Sequence, residues 1–225
     1  MGPVAENLAS IRARIDAAAR RAGRDPEEIR LLPVTKTKGV EVLEEAYAAG
    51  LRLFGENRAQ EAADKAEHFA DRADVGWAMI GHLQSNKAGL VAGFATEFHA
   101  LDSAKLAHAL ARHLHDRGRT LDVFIQVNSS GEPQKFGLEP DAVEEFATEV
   151  ADLSVLRVRG LMTLAVFSDD HAAVGACFER MVALRVRLGD LVGPELSMGM
   201  SGDFELAIGY GATTVRVGQA LFGPR

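Results

Sequence analysis

Short apolar segments alternate with helical segments along almost the whole chain, and this alternation constrains the fold more than any other feature. An amphipathic helix is predicted first, over Asn7–Arg20. Strand-like segments follow, and a helical pattern comes after most of them. The predicted strands are Leu31–Thr35, Leu51–Phe54, Trp77–Ile80, Phe98–Leu101, Leu121–Val127, a strand within Val155–Leu164, Leu196–Met200 and Thr214–Val217. Such alternation is typical of parallel strands joined by helical crossovers.

The number of units favours one architecture. Eight strand–helix units in 225 residues fit a closed (β/α)₈ TIM barrel, which typically takes about 250 residues. A doubly wound open sheet is the alternative. We favour the barrel because no glycine-rich dinucleotide fingerprint follows the first predicted strand. The sequence therefore predicts an α/β protein with a single domain over residues 1–225 and an extra N-terminal helix.

Charge and composition argue against several classes of partner. The formal net charge is −7 and the basic residues are scattered, so we expect neither nucleic acid nor an anionic membrane as a partner. No apolar run is long enough to span a bilayer, and the N-terminus lacks a signal-peptide pattern. Cys177 is the single cysteine and falls in a helical apolar pattern, which predicts a core position. We expect a cytoplasmic monomer.

The first predicted strand ends on a lysine. Lys36 stands where the strand gives way to its helix, at the edge where α/β folds bind ligands. Desolvation at such an edge lowers a lysine pKa and makes the nucleophilic amine available for a Schiff base with an aldehyde. The alternative is a solvated lysine at the end of a strand. This segment alone does not decide between the two.

Polar residues and glycines cluster at the predicted carboxyl ends of the strands, as in a barrel active site. Before the last two units these rim residues are Lys36, Gly55-Glu56-Asn57, Gly81-His82, Asn128 and Met162-Thr163. The seventh loop contributes Gly199, Ser201 and Gly202, and the eighth contributes Gly218 and Gln219. Small residues near a helix N-terminus let backbone N–H groups bind an anion, and barrels often hold a phosphate at these two loops. The alternative for Ser201 is a helix cap.

A Schiff-base lysine opposite a phosphate site suggests a phosphorylated aldehyde, either pyridoxal 5′-phosphate (PLP) or a sugar phosphate. Arg216 bears on that choice, because it lies two residues before Gly218 and so shares its side of the strand. A guanidinium there could face a pyridine nitrogen without giving up its proton. The ring would then be a weaker electron sink than one paired with a carboxylate. A surface salt bridge is the alternative role for Arg216.

These segments together resemble a known family. The blocks are Val34-Thr-Lys-Thr37, Phe54-Gly-Glu-Asn57 with Gln60-Glu61, Ile80-Gly-His-Leu-Gln-Ser-Asn-Lys87, Gly160-Leu-Met-Thr163, Ser197-Met-Gly-Met-Ser201 and Val215-Arg-Val-Gly218 with Leu221-Phe-Gly223. In this order they resemble the YggS/PROSC family of pyridoxal phosphate homeostasis proteins, from the first helix to the last residues. The resemblance implies the barrel fold of the alanine racemase N-terminal domain, with PLP held as a covalent imine on Lys36.

The resemblance also implies roles for other rim residues. Asn57 would lie beside the cofactor and Arg216 would face the pyridine nitrogen. The phosphate would be held by Ser201, Gly218 and the adjacent backbone, which includes Met200 and Gln219. Family members are thought to carry or buffer PLP and to affect vitamin B6 balance, which makes PLP-dependent apoenzymes possible partners.

Some positions depart from the family pattern or have an open role. Arg58, Ala59 and Ala78 differ from the residues that the family often has, and we expect them to change only contacts away from the lysine and phosphate motifs. Lys135 matches another family lysine. We expect Lys135 to be a solvated loop residue, with a secondary PLP site or a transfer site as the alternative. Whether Lys38 has such a secondary or transfer role is also left open.

Three classes of function remain: a PLP carrier without efficient catalysis, a racemase-like enzyme, and a Schiff-base aldolase. A two-base racemase needs a second acid/base group, which alanine racemases take from a tyrosine of an added β domain. We expect no such domain here, and neither Tyr47 nor Tyr210 is obviously placed for that task. His82 could act as a base, but ordering its loop is the favoured role. Glu56 is a candidate carboxylate for an aldolase, with loop anchoring as the favoured role. The sequence therefore favours the carrier and predicts no catalytic residue and no metal site.

Overall fold

Eight parallel strands form one barrel in the computed structural model, which describes residues 2–223. The strands are β1 Arg30–Pro33, β2 Leu53–Glu56, β3 Gly76–Met79, β4 Glu97–Leu101, β5 Leu121–Gln126, β6 Leu156–Met162, β7 Glu195–Ser197 and β8 Thr214–Val217. Their spatial order runs from β1 through β8 and then down in sequence number to β2. A parallel bridge between Val34 and Gly55 joins β1 to β2 and closes the ring. The predicted TIM barrel is confirmed.

Helices cover the outside of the barrel. They are α1 Pro3–Arg21, α2 Val40–Ala48, α3 Ala59–His68, α4 Ala88–Phe94, α5 Ala104–His115, α6 Val143–Ala151, α7 His171–Leu188, α8 Phe204–Gly209 and α9 Gln219–Phe222. The extra helix α1 begins at Pro3, a residue favoured in the first helical turn, and packs against α8 and α9. Within residues 2–223, no helix has both the length and the apolar character needed to cross a membrane.

The core lies in the barrel and beneath the helices. In β5 the side chains of Leu121, Val123, Phe124 and Ile125 are buried, as expected for a parallel strand covered on both faces. Cys177 is buried in α7, which confirms its predicted packing role. This core fixes the strands, whose carboxyl ends carry the candidate site.

Several predicted boundaries are wrong, and the structure gives a local reason for two of the strand ends. The second strand begins at Leu53 because Leu51 still bonds back to Ala46 at the end of α2, where Gly50 has a φ of 93°. The helix expected over Leu83–Val91 is instead a 3-10 turn at Ser85–Lys87 followed by α4. The seventh strand stops at Ser197, because Gly199 turns the chain with a φ of 91°.

Candidate functional site

Lys36 lies in a tight turn directly after β1. The strand pairing ends at the Val34 bridge, and Thr35 donates its N–H to the Gly55 carbonyl at 2.9 Å. The partly buried Lys36 lines a pocket of about 210 Å³. The other lining residues are Thr37, Asn57, Arg58 and Glu61. The structure therefore brings Lys36 and Asn57 together at the carboxyl rim, as predicted, whereas the Lys38 amine donates to the Gly223 carbonyl at 3.3 Å.

A buried ionic group, the Lys65 cluster, lies behind this turn and consists of Lys65, Glu56 and Glu61. The Lys65 ammonium donates to Glu56 Oε1 and to Glu61 Oε1, both at 2.7 Å. Burial raises the pKa of Glu56 against the opposing bonds from Lys65 and Thr35. Burial alone would also raise the pKa of Glu61, but the hydrogen bonds from Lys65 and Thr37 outweigh it, so that pKa is lowered. Glu56 thus anchors the loop, as expected.

Asn57 presents a buried polar atom to the site. Its Oδ1 has no hydrogen-bond partner within residues 2–223, and such buried atoms are uncommon. The backbone around it is closely packed, since a Cβ on Gly81 would lie 2.4 Å from the Asn57 carbonyl oxygen. Glycine at position 81 therefore allows the two loops to meet. An unsatisfied amide oxygen beside a lysine fits a site that receives a polar ligand.

The loops after β7 and β8 lie beside the Lys36 turn, because β8 pairs with β1. A Cβ on Gly218 would lie 3.0 Å from the Val34 carbonyl, so the eighth loop packs directly on the end of β1. Ser201 Oγ accepts the Ala220 N–H at 3.5 Å and links the two loops. The N-cap of α8 is Asp203, so the alternative of Ser201 as the cap of that helix is wrong.

Two further predicted residues lie at the same edge. The Met200 N–H donates to Asp203 Oδ1 at 2.5 Å, which leaves that N–H engaged within its own loop. Burial raises the pKa of Asp203, while the bond from Met200 and the charge of Arg216 oppose it. Gln219 is exposed and opens the short helix α9. The Met200 carbonyl in turn accepts the Asp203 and Phe204 N–H groups, so both backbone groups of Met200 are engaged within the loop.

Arg216 lies inside the barrel and is almost fully buried. Its Nη1 donates to the Ser197 carbonyl and hydroxyl at 2.7 and 2.8 Å, and its Nη2 donates to the Thr163 carbonyl at 2.7 Å. Burial lowers the pKa of Arg216 to about 10, so the guanidinium stays charged at neutral pH. Of its five N–H groups, two have no acceptor within residues 2–223. The surface salt bridge considered for Arg216 is wrong.

A polar chain continues from Arg216 through the barrel interior. Ser197 Oγ lies 3.0 Å from His99 Nδ1, and His99 Nε2 lies 2.7 Å from Glu97 Oε2. Arg30 bonds both oxygens of Glu97 at 2.5 and 3.0 Å. Burial lowers the pKa of His99. Burial would raise the pKa of Glu97, but His99 and Arg30 lower it to about 2. Sequence reasoning missed this chain.

Loops on the other side of the rim pack against each other. His82 stacks on Phe136 with 4.0 Å between ring centroids and an interplanar angle of 10°, and its Nδ1 lies 3.6 Å from Asp102. These contacts fit the loop-ordering role expected for His82. The expectation of a solvated Lys135 is wrong, because its amine donates to the Ala165 carbonyl at 2.9 Å and pairs with Glu132.

Comparison with known proteins identifies the family. Residues 7–225 match the family described as "Alanine racemase, N-terminal domain". A pyridoxal phosphate homeostasis protein of Pseudomonas aeruginosa is 45% identical over 225 residues, covering 100% of this chain and 97% of that protein. The chain belongs to the family of pyridoxal phosphate homeostasis proteins. The member from Escherichia coli K12 is 41% identical over 231 residues, covering 100% of this chain and 98% of that protein.

A solved structure is similar to this family member over its whole length. PipY of Synechococcus elongatus PCC7942, a structure with PLP bound, has a TM-score of 0.84 and 35% identity, and the match covers 98% of this chain and 100% of PipY.

Of the three residues that depart from the family pattern, one lies at the candidate site. Arg58 lines the Lys36 pocket, so the expectation that it lies away from the lysine motif is wrong. Ala78 is buried in β3, and Ala59 begins α3.

The two tyrosines lie on outer helices in this homeostasis-family barrel. Tyr47 in α2 bonds Asp74, and Arg52 stacks over its ring at 3.9 Å. Tyr210 follows α8 and packs against Phe178 in α7. Neither lines the Lys36 pocket. Residues 2–223 also contain no group of acidic, histidine and cysteine side chains that could hold a metal ion.

Proposed function

We propose that this protein binds PLP covalently through the Lys36 amine. The observation that carries the proposal is the Lys36 pocket, in which the lysine shares the carboxyl rim with the unsatisfied Asn57 oxygen. When bound, the cofactor supplies an aldehyde that forms a Schiff base with a lysine amine. Relatives named for pyridoxal phosphate homeostasis and the PLP-bound PipY structure support this choice of ligand.

The surrounding residues suit the parts of such a ligand. Arg216 would direct a remaining N–H to the pyridine nitrogen, because three of its five donors are already taken. Ser201, Gly218 and Gln219, together with Met200, would receive the phosphate beside the end of β1. Asn57 would orient the ring near the lysine. These are the assignments that we propose for the site.

We infer a role in cofactor homeostasis and not in efficient catalysis. Arg216 would leave the pyridine nitrogen unprotonated, which weakens the electron sink that most PLP enzymes require. The tyrosines available for a second acid/base lie on the outer helices. The protein would take up PLP, hold it and pass it to PLP-dependent apoenzymes in the cytoplasm. A monomeric state remains a prediction.

Borohydride labelling tests the proposal. Purified protein mixed with PLP should become yellow, and reduction followed by peptide mapping should place the label on Lys36. Lys36→Ala should lose the visible absorbance and the label while keeping its circular dichroism spectrum, since the neighbouring Lys65 amine is held by Glu56 and Glu61 and the Lys38 amine donates to the Gly223 carbonyl. Lys87→Ala, at an exposed lysine outside the pocket, is the matched control and should label like the wild type. A Lys36→Ala protein that remains yellow and reducible would contradict the proposal.

A further inference from the structure

The residues on either side of Lys36 are both held by the Lys65 cluster. The Lys65 ammonium donates to the Thr35 carbonyl at 3.0 Å, and the Thr35 hydroxyl donates to Glu56 Oε1 at 2.6 Å. After the lysine, the Thr37 N–H donates to Glu61 Oε1, also at 2.6 Å. The chain entering the turn and the chain leaving it are therefore fixed to one buried set of charges.

The conformation of Thr37 shows why this turn needs support. Its φ is 65°, and it is the only non-glycine residue with positive φ within residues 2–223. A β-branched residue seldom adopts this left-handed conformation, which costs free energy and persists only where surrounding contacts impose it. The contact that reaches the Thr37 backbone from outside the turn is the bond to Glu61.

Glu61 is well suited to impose that conformation. It lies on α3, so a rigid helix carries its carboxylate to the turn. Lys65, four residues later on the same helix, bonds the same oxygen and is itself held by buried Glu56. Glu61 also lines the Lys36 pocket, which places the supporting group and the supported lysine at one site.

We propose that Glu61, supported by Lys65, is a positioning residue for Lys36. By accepting the Thr37 N–H, the carboxylate holds the turn left-handed and directs the lysine side chain into the pocket. This inference rests on the proposed function, because it assumes that Lys36 is the amine that takes the aldehyde. It assigns Glu61 no contact with the reacting atoms.

A rescue experiment tests the assignment. The readout is the fraction of Lys36 fixed by borohydride as a function of PLP concentration, followed by peptide mapping. Glu61→Ala should weaken the apparent Kd about tenfold, which corresponds to about 1.4 kcal/mol. Adding Thr37→Gly should recover most of that loss, because glycine adopts positive φ without support. The double variant still lacks the carboxylate, so recovery separates turn geometry from a direct effect of its charge.

Controls keep the outcomes distinct. Glu67→Ala, an exposed residue of the same helix, should bind PLP like the wild type. Lys65 keeps its bond to Glu56 in Glu61→Ala, so the variant should fold, and thermal unfolding without PLP checks this. An unchanged Kd in Glu61→Ala, or no recovery with Thr37→Gly, would overturn the positioning role. A wild-type protein with no label on Lys36 would instead overturn the proposed function.

Discussion

Individual residues at the rim are held by partners that are distant in sequence. Arg216 on β8 is bonded to Ser197 on β7 and to Thr163 after β6, and through Ser197 it connects to His99 on β4. Buried polar groups with this many satisfied bonds fix side-chain orientation more firmly than solvent-exposed contacts do. Arg216 is therefore oriented before any ligand binds.

Acid stability should depend on Glu97. Its pKa is lowered to about 2 in the folded protein, so the stability it contributes is present above the unfolded value of 4.5 and is lost progressively as pH falls from there through about 2. The contribution is at most about 3 kcal/mol. Urea unfolding of the wild type at pH 6 and pH 3 should show a larger loss than the same measurement on Glu97→Gln.

The matched control for this measurement is Glu67→Gln, an exposed carboxylate on α3 that should preserve the wild-type loss. An equal pH dependence in the wild type and Glu97→Gln would mean that the bonds from Arg30 and His99 do not stabilise the ionised form of Glu97.

The sequence predicted the rim residues whose motifs end a strand, such as Lys36 and Asn57. It did not predict the roles of Lys65 and His99, because those roles depend on partners that only the folded structure brings close. Lys65 lies in a polar helix, and its only local signal was the spacing of four from Glu61, which also occurs on solvated helices. His99 sits inside an apolar strand, and nothing local indicates that Ser197 faces it across the barrel.

Among the elements, the existence of a strand or helix was easier to predict than its ends, and α1 begins four residues before its predicted start at Asn7. The spacing of four between Leu106, Leu110 and Leu114 is typical of one face of a helix, and all three are buried in α5. A strand of four residues carries too little periodicity to fix its own ends, so β2 was placed two residues early. That shift matters for the site, because the true strand includes Glu56 and so holds its carboxylate against Lys65 of α3.

The contact between β6 and β7 requires a glycine. A Cβ on Gly160 would lie 1.8 Å from the Glu195 carbonyl oxygen, a distance that forces the two strands apart. We expect Gly160→Ala to lower the free energy of unfolding by about 3 kcal/mol or more, the upper range for overpacking. Urea unfolding followed by circular dichroism measures this.

Gly93→Ala is the control for Gly160→Ala. Gly93 lies in α4 and has open space where a Cβ would stand. Alanine in a helix should leave the stability unchanged or raise it by up to about 1 kcal/mol. Equal stability of the two variants would show that the β6–β7 spacing tolerates a side chain.

At the scale of the whole molecule, the barrel places Lys36 at its rim, whereas Tyr47 and Tyr210 pack on its outer side. We therefore expect PLP-loaded protein to exchange the α-proton of alanine in deuterium oxide far more slowly than about 1 s⁻¹, the lower end of typical enzyme turnover. Proton NMR measures the exchange, with Lys36→Ala as the control. Exchange at enzyme-like rates would contradict the homeostasis role and favour a racemase.

The four residues of β8 carry Arg216, with Gly218 immediately beyond, and they pair with β1 in a single register. Strand side chains alternate between faces, so a slip of one residue would turn Arg216 out of the barrel and carry Gly218 away from Val34. Both residues would then leave the positions that we propose for them beside the pyridine nitrogen and the phosphate. The turn before β8, on the amino side of the barrel, therefore tolerates a change of length only where the pairing of β8 with β1 is kept.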